Sequence, residues 1–253
     1  MIRAYAVFSY LLFLGTLVYF MGWLANVGVP QGIDHGRSAT TSTALLIDVA
    51  LLAIFAAQHS IMARPWFKRA TRPLVPAAAE RATYVLLSNV AVILIMTFYQ
   101  PLGHGAWDIH STALRVLLWL GCAAGWAIAI LSTMMIGQFD LFGLAQAHRG
   151  QAYVERGFGT PGFYALVRHP IMSGFLLAFW STPSMTWGHL LFAVLSTAYV
   201  LVGVRFEERD LEAQLGRDYT VYASEVPRFI PALRRQRSHL THPYTAGGAQ
   251  ADD

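Results

Sequence analysis

Cysteine is almost absent: among 253 residues there is one, Cys122, inside an apolar run. A single thiol excludes an intrachain disulfide and a thiolate metal cluster, and its position reads as a small buried apolar residue. Charge is scarce too. Only 13% of residues are charged and 55% are hydrophobic, whereas a soluble domain carries about a quarter charged, so the chain belongs in a membrane. Also missing are a glycine loop that cradles phosphate, a serine nucleophile elbow and an internal repeat. His104 and His110 in one connection and those of "HLTH" (239–242) in a polar tail supply neither the count nor the context of a zinc site, and no metal is expected.

What is present is length of apolar chain. Runs at 4–25, 43–62, 82–100 and 113–136 hold 19 to 24 residues each, close to the roughly 20 that cross a bilayer as helix. Two shorter stretches, 171–185 and 187–204, are separated by "STPSMTWG", where Pro183 and Gly188 favour a break. The first would reach only roughly 22 Å as helix. The expected fold is therefore all-α, a polytopic membrane bundle of four full spans plus a C-terminal helical hairpin, with a cap that binds a cofactor. The first run is too long for a signal-peptide core and lacks a small-residue cleavage site, so it reads as retained.

Basic residues orient the bundle. Arg64, Lys68, Arg69, Arg72 and Arg81 follow the second span, Arg149, Arg156 and Arg168 follow the fourth, and seven arginines from Arg205 to Arg237 follow the last. Segment 101–112 has no Lys or Arg and 26–42 has only Arg37. The positive-inside rule then puts both termini in the cytoplasm, with the chain multi-pass in the inner cell membrane. The pI near 9.4 needs no nucleic-acid partner, because anionic lipid headgroups account for the excess charge.

Three regions follow: a four-span bundle (1–136), a catalytic region with the hairpin (137–233) and a disordered tail (234–253). Segment 137–170 is too long for a turn and too rich in aromatics and glycines for a linker, so it should be folded. After the last apolar stretch an amphipathic helix continues from about Val204 to Leu215, with Gly216 as its stop. In it Glu207, Glu208 and Asp210 put negative charge where topology alone wants positive. Carboxylates there suit Arg168, which with His169 and Pro170 stands directly ahead of an apolar run. An arginine and a glutamate at adjacent ends of a hairpin make a polar cluster on an apolar floor, fit for a charged cofactor and an apolar reaction partner.

The residues that carry this reading also resemble a family. "VRHPIMSG" (167–174), "EERDL", "GRDYTVY" (216–222) and "VPRFIP" (226–231) are similar to the isoprenylcysteine carboxyl methyltransferase and phospholipid methyltransferase superfamily. Met172 departs from it, since many members carry tyrosine there. "QHSIMARPWFKR" (58–69), "GQFDLFGL" (137–144) and the hairpin look most like the methanethiol S-methyltransferases within it, over nearly the whole chain up to about residue 234. A membrane protein without catalysis, of the NnrU type, shares the second-helix pattern and remains an alternative, as does a lipid or prenylated thiol as acceptor.

The resemblance implies S-adenosylmethionine as methyl donor and assigns His169 and Glu208 to it. The residue chemistry agrees. Arg168 suits its carboxylate, Glu207 or Glu208 its ammonium or ribose, Gly162 a close backbone approach, and Tyr164 the rim. Tyr219 and Tyr222, three apart on one helical face, close over the adenine or belong to an interfacial aromatic belt. A thiol acceptor must ionise, and a simple alkanethiol is a weaker acid than cysteine at about 8.5. Candidates to assist are Gln58, His59, Arg64 and Asp140, together with His189 in the hairpin; His59 reads equally as a histidine that bonds a carbonyl between helices. Bulky Phe175, Phe179, Trp180 and Trp187 point to a small enclosed acceptor pocket and a small thiol substrate.

Overall fold

In a computed structural model of the chain, residues 1–103, 105–154 and 157–232 are described. The tail expected at 234–253, with its "HLTH" histidines, and His104 and Arg156 lie outside the described residues. In chain order the helices are α1 (Ile2–Ala25), α2 (Thr41–Ala63), α3 (Pro65–Thr71), α4 (Glu80–Phe98), α5 (Thr112–Met135), α6 (Gln138–Leu141), α7 (Leu144–Arg149), α8 (Pro170–Trp180), α9 (Trp187–Leu215) and α10 (Arg217–Glu225). Strands β1 (Gly105–Asp108) and β2 (Ser184–Thr186) form one antiparallel ribbon.

Five helices, α1, α2, α4, α5 and α9, are long and apolar enough to cross a membrane. The hairpin is unequal. Its first arm, α8, has 11 residues, roughly 16 Å, while α9 has 29, roughly 43 Å at 1.5 Å per residue. No breaker separates the apolar stretch 187–204 from the amphipathic one that follows, so the two are a single helix that ends at Gly216.

The short arm is placed by close helix contact. At Gly125 of α5 an added Cβ would come within 2.6 Å of Ala178 N and Gly174 O, and at Gly174 of α8 within 2.5 Å of Gly125 O. Small residues let the two backbones touch, which is how helices associate where lipid offers no hydrophobic drive. Beyond α8 the chain turns through the ribbon, with Trp107 opposite Met185 and Asp108 opposite Ser184. The all-α reading did not foresee this. Ribbon pairing satisfies backbone groups of the 101–112 connection and the hairpin tip together, as non-helical backbone next to hydrocarbon requires.

The same end is held by side chains. Asn26 Nδ2 donates to Asp34 Oδ2 at 2.7 Å, the Thr186 hydroxyl donates to Asp34 Oδ1, and Thr186 Oγ1 accepts from His189 N–H at 3.0 Å to cap α9. A cluster of Phe20, Trp23, Tyr99, Phe179 and Phe192 packs the bundle at this end. At the opposite, basic end, Arg3 Nη2 donates to His148 O and Arg81 Nη1 to Asp140 O, tying α1 and α4 to the folded segment 137–154. The start of α1 and the chain after α9 both lie at that end.

The glycine contact sets a prediction. Gly174→Ala should lower stability by about 1–3 kcal/mol through overpacking. Gly203→Ala on α9, where an added Cβ meets nothing within 4 Å, should be neutral or stabilising by up to about 1 kcal/mol. Thermal melts of the two variants in one detergent check the contrast.

Candidate functional site

The site begins where α8 begins. Pro170 occupies its first turn, so the chain before it is extended rather than helical. Its free backbone donors are taken by the segment after α10, Arg168 N–H bonding Pro227 O at 2.8 Å and His169 N–H bonding Arg228 O at 3.1 Å, and the Ser173 hydroxyl in α8 donates to Phe229 O at 2.8 Å. This strap carries Arg228 over the end of α9. Glu208, whose side chain is 8% exposed, then accepts from Arg168 Nη2 at 2.9 Å, Arg228 Nη2 at 2.7 Å and Arg228 Nε at 2.9 Å, with His169 Nε2 at 3.2 Å. The bidentate Arg228 contact takes one carboxylate oxygen, and Arg168 and His169 share the other.

Beside this cluster is a cavity of about 340 Å³ lined by Asp140, Tyr164, Arg168, His169, Glu207, Tyr219 and Tyr222 among others. Glu208 stands behind its wall, and Glu207, half exposed, faces in with Oε2 at 3.6 Å from His169 Nδ1. Tyr219 and Tyr222 are buried against Phe158, with ring centroids 6.1 and 5.4 Å away. Burial pushes the Tyr219 phenol up to about 12 and raises those of Tyr164 and Tyr222, so all three stay protonated. Tyr222 OH donates to Tyr164 O at 2.6 Å. The Tyr219 hydroxyl and Arg168 Nε are buried with no hydrogen-bond partner among the described residues. Two cations bear on Glu208, and Glu207 adds a negative group beside His169.

A second cavity, of about 470 Å³, lies among α1, α2, α4, α8 and α9. It adjoins the first. Along three elements neighbouring residues face one and then the other: Arg81 then Tyr84, Leu141 then Phe142, His169 then Met172. Met172, the departure from the superfamily pattern, therefore stands at the junction. Lining the second cavity near the basic end are His59, Tyr84, Ser88 and Tyr199, and among the described residues no Asp, Glu, Lys or Arg lines it. His59 Nδ1 is 3.1 Å from Ser88 Oγ, and Nε2 has no hydrogen-bond partner among the described residues.

The residues grouped by sequence as assisting the acceptor thus separate. His59 lines the apolar cavity, whereas Asp140 falls in the polar one with the donor candidates. Gln58 lines neither and donates to Met62 Sδ at 3.1 Å. Arg64 leaves the group because Pro65 ends α2: its extended backbone turns the side chain outward to Asp210 at 3.1 Å, over the Phe206 ring. Gly162 does not line the cavity; its left-handed turn (φ 57°) presses on Met135, whose sulfur an added Cβ would meet at 2.5 Å. His189 belongs to the opposite end, 19 residues before Glu208 on α9, roughly 28 Å along the axis. Phe175 and Phe179 do wall the second cavity, but Trp180 and Trp187 are exposed on the outside, so the small pocket expected from all four is replaced by a larger one. Sequence reasoning passed over Arg81, Arg228, Tyr84 and Tyr199; for Arg228 the signal was its place in "VPRFIP".

Stability measurements separate these roles. Tyr222→Phe should cost about 1 kcal/mol for its lost bond, and Tyr219→Phe nothing, since its hydroxyl has no partner to lose. Glu208→Gln should cost about 3 kcal/mol by leaving Arg168 buried without a counter-charge, the lower end of the range because Arg228 remains half exposed. Melting curves in detergent read all three.

No family model and no solved structure matches the chain. Curated relatives do. Methanethiol S-methyltransferase 2 of Bradyrhizobium diazoefficiens is 45% identical over 97% of this chain and 96% of its own. The methanethiol S-methyltransferase of Mycobacterium tuberculosis is 46% identical over 90% and 94%. Nurim of Xenopus laevis is a more distant relative, 29% identical over 71% of this chain and 67% of its own. At these identities over nearly the full length of both partners, the chain belongs to the methanethiol S-methyltransferase family.

Proposed function

We propose that the chain is a membrane enzyme that transfers a methyl group from S-adenosylmethionine to methanethiol, giving dimethyl sulfide. The observation that carries this reading is a polar cavity with two unpartnered buried donors, Arg168 Nε and the Tyr219 hydroxyl, set against an apolar cavity with a histidine at its near end. Family membership supports the acceptor and, with it, a methyl donor. When bound, S-adenosylmethionine supplies an electrophilic methyl on a positively charged sulfur. Arg168, with its Nε turned to the cavity side of the cluster, holds a carboxylate. Glu207 accepts from an ammonium or ribose hydroxyls, and Phe158, Tyr219 and Tyr222 give the adenine a ring wall. Glu208 acts behind them, fixing Arg168 and His169.

On the acceptor side His59 receives the thiol proton. With Nδ1–H donating to Ser88 Oγ, the Nε2 lone pair is free for it. The apolar walls keep water from the thiolate, and the shared boundary aligns sulfur and methyl. On this reading residues 137–233 supply most of the donor site, and the 1–136 bundle the acceptor side. The basic end faces the cytoplasm of the inner membrane, as the arginine asymmetry requires, and Arg69 and Arg72 meet anionic lipid headgroups.

Titration of the purified full-length protein in detergent with S-adenosylmethionine and its demethylated product, alongside headspace detection of dimethyl sulfide, tests the proposal. Both nucleosides should bind. Glu207→Gln should weaken binding about tenfold, as for a lost bond to a charged group, and Tyr219→Phe should weaken it without lowering the melting temperature. His59→Ala should slow turnover while leaving donor affinity intact. No binding at millimolar nucleoside, together with no dimethyl sulfide, would overturn the reading.

A further inference from the structure

The acceptor cavity is much larger than its proposed occupant. Methanethiol has one carbon and one sulfur, yet a volume of about 470 Å³ falls in the range that holds drug-sized ligands. Along α2 the lining runs from His59 to Val49, ten residues, or roughly 15 Å. The lining is also graded. Polar groups are densest at the donor end in His59, Tyr84, Ser88 and Tyr199, Asn89, Ser196 and Thr16 follow singly further along, and the far end is closed by Phe20, Val92, Ile95, Phe179 and Phe192. An occupant that matches this gradient has one small polar atom at the basic end and an apolar body extending away from it. With no charged side chain in the wall, a second charge on that body would be desolvated without a partner.

Resting on the donor and acceptor assignment above, we infer that the site also takes uncharged thiols well beyond methanethiol, linear alkanethiols and arenethiols, and methylates them on sulfur. The thiol sulfur sits between His59 and Met172, where the cavities meet, and the alkyl or aryl body lies toward Val92 and Phe179. His59 takes the thiol proton and passes it to water. The sulfur lone pair forms a bond to the methyl carbon of S-adenosylmethionine as the bond from that carbon to the sulfonium breaks, and the breaking pair stays on the donor sulfur. A neutral methyl thioether, a neutral donor product and one proton result. Met172 favours such breadth, because an unbranched thioether adapts to occupants of different outline.

The test uses the full-length protein in detergent with S-adenosylmethionine and a series of thiols: methanethiol, butanethiol, hexanethiol, thiophenol, and the charged mercaptoacetate and cysteamine. Methyl thioethers are quantified by mass spectrometry. The KM should fall about three- to fourfold per added methylene while the chain fills the cavity, the factor for burying one methylene, and the charged thiols should be poor substrates. Val92→Phe, which fills the far end, should lower the hexanethiol-to-methanethiol ratio of kcat/KM at least tenfold. Methylation of methanethiol with rates that collapse from butanethiol onward would overturn the inference and leave the proposed function standing. Long thiols that inhibit competitively without being methylated would overturn it as well, by showing an occupant that never reaches the donor. Failure of every thiol, methanethiol included, would sink both.

Discussion

The carboxylate of Glu208 is the fixed point of the molecule. It joins three pieces of chain, the end of α9, the turn into α8 and the strap that returns after α10, the last two of which are also paired through their backbones. Two guanidiniums and an imidazole converge on one buried acid, and the cluster is tolerable in a membrane protein because every charge has a partner and the strap supplies the remaining backbone bonds. Without it, Arg168 would keep only its bond to Ala223 O and His169 only its approach to Glu207, and the positive wall of the polar cavity would lose its counter-charge.

Helix packing accounts for the second cavity in a similar way. The tight seam between α5 and α8 at Gly125 and Gly174 draws α8 to one side of the bundle. Helices α1, α2 and α4 form the other side, and α9 crosses between. Aromatic side chains meet at the far end in edge-to-face pairs, Trp23 with Tyr99 and Phe179 with Phe192, and close the bottom without filling the middle. The void is thus a product of backbone placement as much as of side-chain size.

Much of this was written in the sequence, and the parts that were not share a cause. Hydropathy and charge asymmetry gave the bundle and its basic end, and the Arg-His-Pro and Glu-Glu motifs gave the core of the polar site, because each depends on local pattern. Arg228 was hidden because its contact to Glu208 depends on extended backbone pairing across the fold, which leaves no periodic trace. Arg64 misled because it is only five residues from His59, yet Pro65 turns it away. Trp180 and Trp187 misled for another reason: an aromatic residue fits a lipid-facing surface as well as a pocket wall, and composition cannot tell one from the other. The ribbon between β1 and β2 is four and three residues long, too short for alternation to register.

Helix α9 has one more implication. It carries Tyr199 in the wall of one cavity and Glu207 in the wall of the other, eight residues apart on an unbroken helix, roughly 12 Å of rise. A helix is a rod that tilts readily and stretches hardly at all. In a thicker or thinner bilayer the rod leans to match, while the offset between its two cavity-facing residues stays set by helical pitch. The gauge between the two cavity walls is therefore built into one secondary-structure element rather than into the thickness of the surrounding lipid.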